Sequence, residues 1–168
     1  LFIKDGAKKV YGFELSEKSY KLAIENIELN GLNDLCIVEH CGVCAKKITS
    51  ANRLLKGSIT DFQISDITKS KFKTLDEITQ NIREKELVLK IDIEGFEYEV
   101  FKHTNVKTLK KYDTIYLEYH YGVQDIPSYL KKAGFEVDIK PITKVVVENH
   151  LEEFKSMDIG MILATRKV

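Results

Sequence analysis

Leu87-Val88-Leu89-Lys90-Ile91-Asp92-Ile93-Glu94-Gly95-Phe96-Glu97 is the stretch on which the fold turns. Its first six residues form a nearly continuous apolar run, the pattern of a parallel strand buried on both faces. Asp92 ends that strand. Gly95 permits a tight turn into a helix predicted from about Phe96 to Lys102, with Phe96, Val100 and Phe101 inward. A strand that passes at once into a helix is half of a βαβ unit, and the same alternation continues in both directions.

Upstream, residues 9–14 read as a short buried strand ending in Glu14. Ser16 is a good N-cap for the next helix, and Tyr20, Ala23, Ile24 and Ile27 make its apolar face. Gly31 stops it. A second strand is predicted at Cys36-Ile37-Val38-Glu39, closed by a turn at Cys41-Gly42. Ser58 to Ile64 alternates as an exposed antiparallel strand would, and Thr74-x-x-Glu77 is a capping box that opens a short helix. Downstream come a strand at Thr114 to Glu118, a helix at Ile126 to Ala133, a strand at Phe135 to Ile139 and a last strand at Ile159 to Ala164. The pattern is that of one α/β domain.

The 168 residues are one domain's worth of chain. With 26 basic and 26 acidic residues the formal net charge is zero, which argues against a general nucleic-acid binder. The arginines are Arg53, Arg83 and Arg166, few candidates for bidentate phosphate recognition. No apolar run reaches the roughly 20 residues of a membrane span. The 3 cysteines have no disulfide-framework spacing, so a reducing cytoplasm is expected.

Ligands of open parallel sheets bind beyond the C-terminal ends of the strands. The predicted strands end on Glu14, on Glu39-His40, on Asp92-x-Glu94 and on Glu118-x-His120. An acid at the position of Glu14 can accept both hydroxyls of a ribose; its plain alternative is a local capping role. Cys36-x4-Cys41-x2-Cys44 with His40 has the spacing of part of an iron–sulfur or zinc site, and it lacks a fourth cysteine. No metal is expected there.

Gly6 to Glu14, Ala23 to Leu32, and above all Leu89-Lys90-Ile91-Asp92-Ile93-Glu94-Gly95-Phe96-Glu97 resemble successive blocks of FkbM-family S-adenosylmethionine-dependent methyltransferases. Thr74 to Glu77 and Ile115 to His120 are similar to further blocks at matching spacing. The resemblance runs from residue 6 to about residue 139. It implies a Rossmann-like sandwich, mostly parallel, with an antiparallel last strand. The strands ending at Glu14 and Glu39 should be neighbours, as should those ending at Asp92 and Glu118. Family members begin with a central strand and a Gly-rich turn, and nothing before Lys9 supplies either. The expectation is therefore a piece of a longer protein or a degenerate relative, with either a gap or an improvised pairing between the strands ending at Glu14 and Asp92.

The resemblance also implies roles. The cofactor would be S-adenosylmethionine, with Glu14 at the ribose, a loop at Cys41-Gly42-Val43 along the adenine, and Asp92 near the methyl-bearing end; Leu15 would also belong to the cofactor site. Asp92, Glu94 and His120 would position a small-molecule, glycan or lipid hydroxyl and remove its proton. His120 is attractive because an ordinary imidazole titrates near neutrality. The same three residues and Glu118 could instead hold a divalent ion. Two other readings compete: a non-catalytic Rossmann-like nucleotide-binding or interaction domain, and a nicotinamide-dependent dehydrogenase. The second has no Gly-rich phosphate turn and no use for Asp92-x-Glu94-Gly95.

Overall fold

A computed structural model describes residues 2–45, 71–148 and 154–166, the side chains of 144–157 excepted. The elements are β1 (Val10–Glu14), α1 (Glu17–Leu29), β2 (Cys36–Cys44), β3 (Lys71–Thr74), α2 (Leu75–Gln80), β4 (Leu87–Ile91), α3 (Glu97–His103), α4 (Val106–Leu109), β5 (Tyr112–Tyr119), α5 (Ile126–Lys132), β6 (Phe135–Glu148) and β7 (Phe154–Arg166). The exposed strand expected at Ser58 to Ile64 lies outside the described residues. No helix among the described residues is long and apolar enough to cross a membrane.

The strands form two sheets, ordered β1-β2-β3 and β4-β5-β7-β6. In the first, every pairing is parallel. In the second, β4 and β5 are parallel, and β7 runs antiparallel between β5 and β6. The two expected neighbour pairs and the antiparallel last strand are therefore present. Of the two outcomes expected at the sheet centre, direct pairing is not seen: among the described residues β1 pairs only with β2, and β4 only with β5. The Tyr11 hydroxyl, which donates to Glu84 Oε1 at 2.9 Å, links β1 to the segment before β4.

Local chemistry explains most boundaries. Ser16 Oγ accepts from Ser19 N–H at 3.3 Å and starts α1. Tyr20, Ala23, Ile24 and Ile27 are half-buried, as the periodicity requires, yet α1 contains no fully buried residue. Thr74 and Glu77 form the reciprocal capping box of α2, at 3.1 and 2.8 Å.

One expectation fails here. Cys41-Gly42 is no turn, and Glu39 and His40 do not end a strand. β2 continues to Cys44 because β3 pairs with Cys41 to Cys44. Gly42 is needed for close approach: a Cβ there would lie 2.5 Å from the Phe72 ring and 3.2 Å from Leu15 Cδ1.

The core belongs to the second sheet. Ile115, Leu117, Leu130, Ile162 and Ala164 are at 0% exposure, and Val100 and Phe101 of α3 are at 1%. Each such large side chain contributes about 1.5–3 kcal/mol by leaving water. That packed block is the rigid base from which the ends of β4 and β5 project.

Candidate functional site

Beyond Ile91 the chain makes a tight turn through two successive left-handed residues, Glu94 (φ 55°) and Gly95 (φ 100°). Glycine adopts that conformation freely, whereas Glu94 is held there at some cost, of the order of 1 kcal/mol or more. The clamp is Glu97, only 2% exposed at the start of α3. Its Oε1 accepts from Ile93 N–H at 3.0 Å and from Gly95 N–H at 3.1 Å. Phe96, at the N-cap position, gives no side-chain cap. The Glu97 carboxylate satisfies backbone donors of the turn itself.

β5 delivers His120 to the same place. His120 is 5% exposed, and its Nδ1 lies 3.1 Å from Glu97 Oε1. Its Nε2 lies 3.4 Å from Glu94 Oε2 and 3.9 Å from Asp92 Oδ1. Lys90 Nζ, 3.7 Å from Asp92 Oδ2, is the neighbouring cation. Tyr121 follows, fixed by a bridge to Asp158, where Gly122 N–H donates to the carbonyl at 2.8 Å.

The electrostatics follow from this crowding. Burial by itself disfavours protonated His120, but the hydrogen bond to Glu97 and the charges of Glu97, Glu94 and Asp92 outweigh it and raise the imidazole pKa. Burial raises the Glu94 pKa. His120 opposes that rise, and Asp92, Glu97 and Glu118 reinforce it. Burial, then Glu97 and Glu94, push the Tyr121 phenol upward.

The three sequence-predicted acid–base residues Asp92, Glu94 and His120 are thus brought together. One donor atom from each lies within 4.8 Å of the others, a spacing that could also accommodate a divalent ion. Glu97 and Tyr121 join them. Glu97 has the acid-rich first turn of α3 as its plain explanation in sequence, so its role shows only in three dimensions.

Glu14 stands at the end of β1, half-buried, with Oε1 accepting from Ser16 N–H at 2.7 Å. The capping alternative therefore accounts for one of its two oxygens. Leu15 is the next residue, and its carbonyl accepts from His40 Nε2 at 3.0 Å. His40 stacks on Tyr20, with centroids 5.1 Å apart. Cys41 is 2% exposed inside β2. The loop expected to carry Cys41 and Gly42 along an adenine is instead ladder backbone. An extended strand also separates Cys36 from Cys41 by roughly 16 Å, so β2 does not gather the cysteines and His40 around one ion.

The family model for the methyltransferase FkbM domain matches residues 1–137. No curated protein matches. Among solved structures, a candidate RNA methyltransferase from Pyrococcus horikoshii is similar in fold, with TM-score 0.52, 11% identity, and 99% of this chain and 65% of that one covered. A candidate tRNA (m1A22) methyltransferase from Streptococcus pneumoniae aligns with TM-score 0.47 and 15% identity over 99% of this chain and 58% of that one. The chain thus spans less than two thirds of the length of either protein.

Proposed function

Because the chain belongs to the FkbM methyltransferase domain family, we propose that it serves S-adenosylmethionine-dependent methyl transfer to a hydroxyl of a sugar, lipid or small metabolite. One observation carries the acceptor side of this reading. Asp92, Glu94 and His120 converge at the C-terminal ends of adjacent parallel strands, where ligands of such sheets bind.

The residues present suit the cofactor's chemistry in part. Glu14 offers an acid at a strand end, with one oxygen beyond the bond to Ser16, for ribose hydroxyls. Leu15 supplies an apolar wall beside it. Cys41 and Gly42 enter this reading as the backing of Leu15, which packs over Gly42. Asp92 ends the strand across the gap and is assigned to the methyl-bearing side. When bound, S-adenosylmethionine supplies a methyl group on a positively charged sulfur, already activated for transfer.

What remains for the protein is orientation and one proton. Asp92 and Glu94 accept hydrogen bonds from other polar hydrogens of the acceptor and so hold the reacting hydroxyl against Nε2. His120 Nε2 takes the hydroxyl proton. His120 itself is buried, at 5% exposure, so little water reaches the base from behind. A general base of this kind contributes about 10²–10⁴-fold.

Zero net charge favours a small-molecule, glycan or lipid acceptor over nucleic acid. Three free thiols suit a cytoplasmic location. The alternative, a non-catalytic nucleotide-binding or interaction domain, gives no reason to bury a histidine among three carboxylates. The test is methyl transfer from isotopically labelled S-adenosylmethionine to a panel of sugar, lipid and metabolite hydroxyls. Labelled ether products support the reading. Transfer to none of the panel, with no binding of S-adenosylmethionine, refutes it.

A further inference from the structure

Oε1 of Glu97 already receives two backbone hydrogens, from Ile93 and Gly95. It can therefore meet Nδ1 of His120 only as an acceptor, and Nδ1 must carry hydrogen. In a neutral imidazole one nitrogen donates and the other accepts. Committing Nδ1 as donor leaves Nε2 with the lone pair, and Nε2 is the atom that faces Asp92 and Glu94.

We propose that Glu97 is a positioning residue, fixing the tautomer and ring orientation of His120 so that Nε2 is the proton acceptor of the site. The inference rests on the methyl-transfer reading for its catalytic half, while the tautomer stands by itself. The chemistry is one proton transfer: the hydroxyl O–H bond breaks, its hydrogen binds Nε2, and it later leaves to water. Glu97 gives up and gains nothing. Its two backbone bonds tie this role to the fold, because the same oxygen that orients His120 closes the turn presenting Asp92 and Glu94. The charged groups facing the ring are Asp92 and Glu94 from the turn and Glu97 from α3, with Tyr121 beside them on the β5 side.

Ring-nitrogen NMR of the full chain with labelled histidine reads the tautomer without cofactor or acceptor. Recorded at a pH high enough to deprotonate the ring, whose pKa the surrounding carboxylates raise, wild type is expected to show neutral His120 with hydrogen on Nδ1. Glu97→Ala is expected to lose that preference and, in the transfer assay, at least about 100-fold in rate. Glu97→Gln is expected to keep the tautomer and more of the rate than alanine does. The two backbone donors select the amide carbonyl for the Oε1 position, so it can still accept from Nδ1. Hydrogen on Nε2 in the neutral wild-type ring overturns the proposal, whether or not the alanine variant folds. So does an Nδ1 preference unchanged in Glu97→Ala. A tautomer that shifts as expected in a protein with no transfer activity sinks the methyl-transfer reading and leaves the Glu97–His120 pair standing.

Discussion

Glu94 and His120 bind protons more tightly in the folded protein than their ordinary pKa values of 4.5 and 6.5 allow. For each group the folded-state value is raised, so its stabilising contribution is complete below the unfolded value and is lost as pH climbs through the folded one. Glu94 starts that loss above about pH 4.5 and His120 above about pH 6.5. The urea midpoint should therefore fall as pH rises through neutrality, and His120→Gln should flatten the neutral part of the decline. A wild-type midpoint that rises over the same range contradicts the ion-pair assignment. At this scale Asp92, Glu94 and His120 were legible in the sequence because strand ends are where parallel sheets bind ligands. Glu97 was not, since an acid in a first helical turn has an adequate explanation in the helix dipole.

The elements divide in the same way. α2 could be read from Thr74 and Glu77 because a capping box is local chemistry, complete within four residues. β2 could not be read past Glu39, because what extends it is β3, more than 25 residues further on. Gly42 signals a turn in sequence, yet it serves close packing against Phe72 and Leu15. Gly42→Ala separates the two cases. In a turn open to solvent alanine would be nearly neutral. Under Phe72 it forces β1 or β3 to shift, and overpacking of this kind costs about 1–3 kcal/mol. Chemical denaturation checks it, and a loss below about 0.5 kcal/mol would return Gly42 to the surface.

Across the whole molecule, the packed core lies with β4, β5, β7 and β6, while β1 and β2 are covered by a helix with no fully buried residue. Amides of β5 and β7 should therefore exchange with solvent much more slowly than those of β1 and α1. Equal protection in both sheets would mean they open as one unit. This asymmetry places Glu14 on the weaker half and the His120 cluster on the rigid half, and the two halves have separate tasks in the proposed reaction. Steady-state methyl transfer by wild type, Glu14→Ala and His120→Ala, with cofactor concentration varied against a transferable acceptor, tests that division most directly. Glu14→Ala should raise the KM for S-adenosylmethionine by roughly 10- to 100-fold, the equivalent of losing a charge-assisted hydrogen-bond pair of about 1.5–3 kcal/mol, with kcat nearly unchanged. His120→Ala should lower kcat by about 10²–10⁴-fold with that KM nearly unchanged. Wild-type kinetics in both variants, or the two effects exchanged between them, would contradict the account.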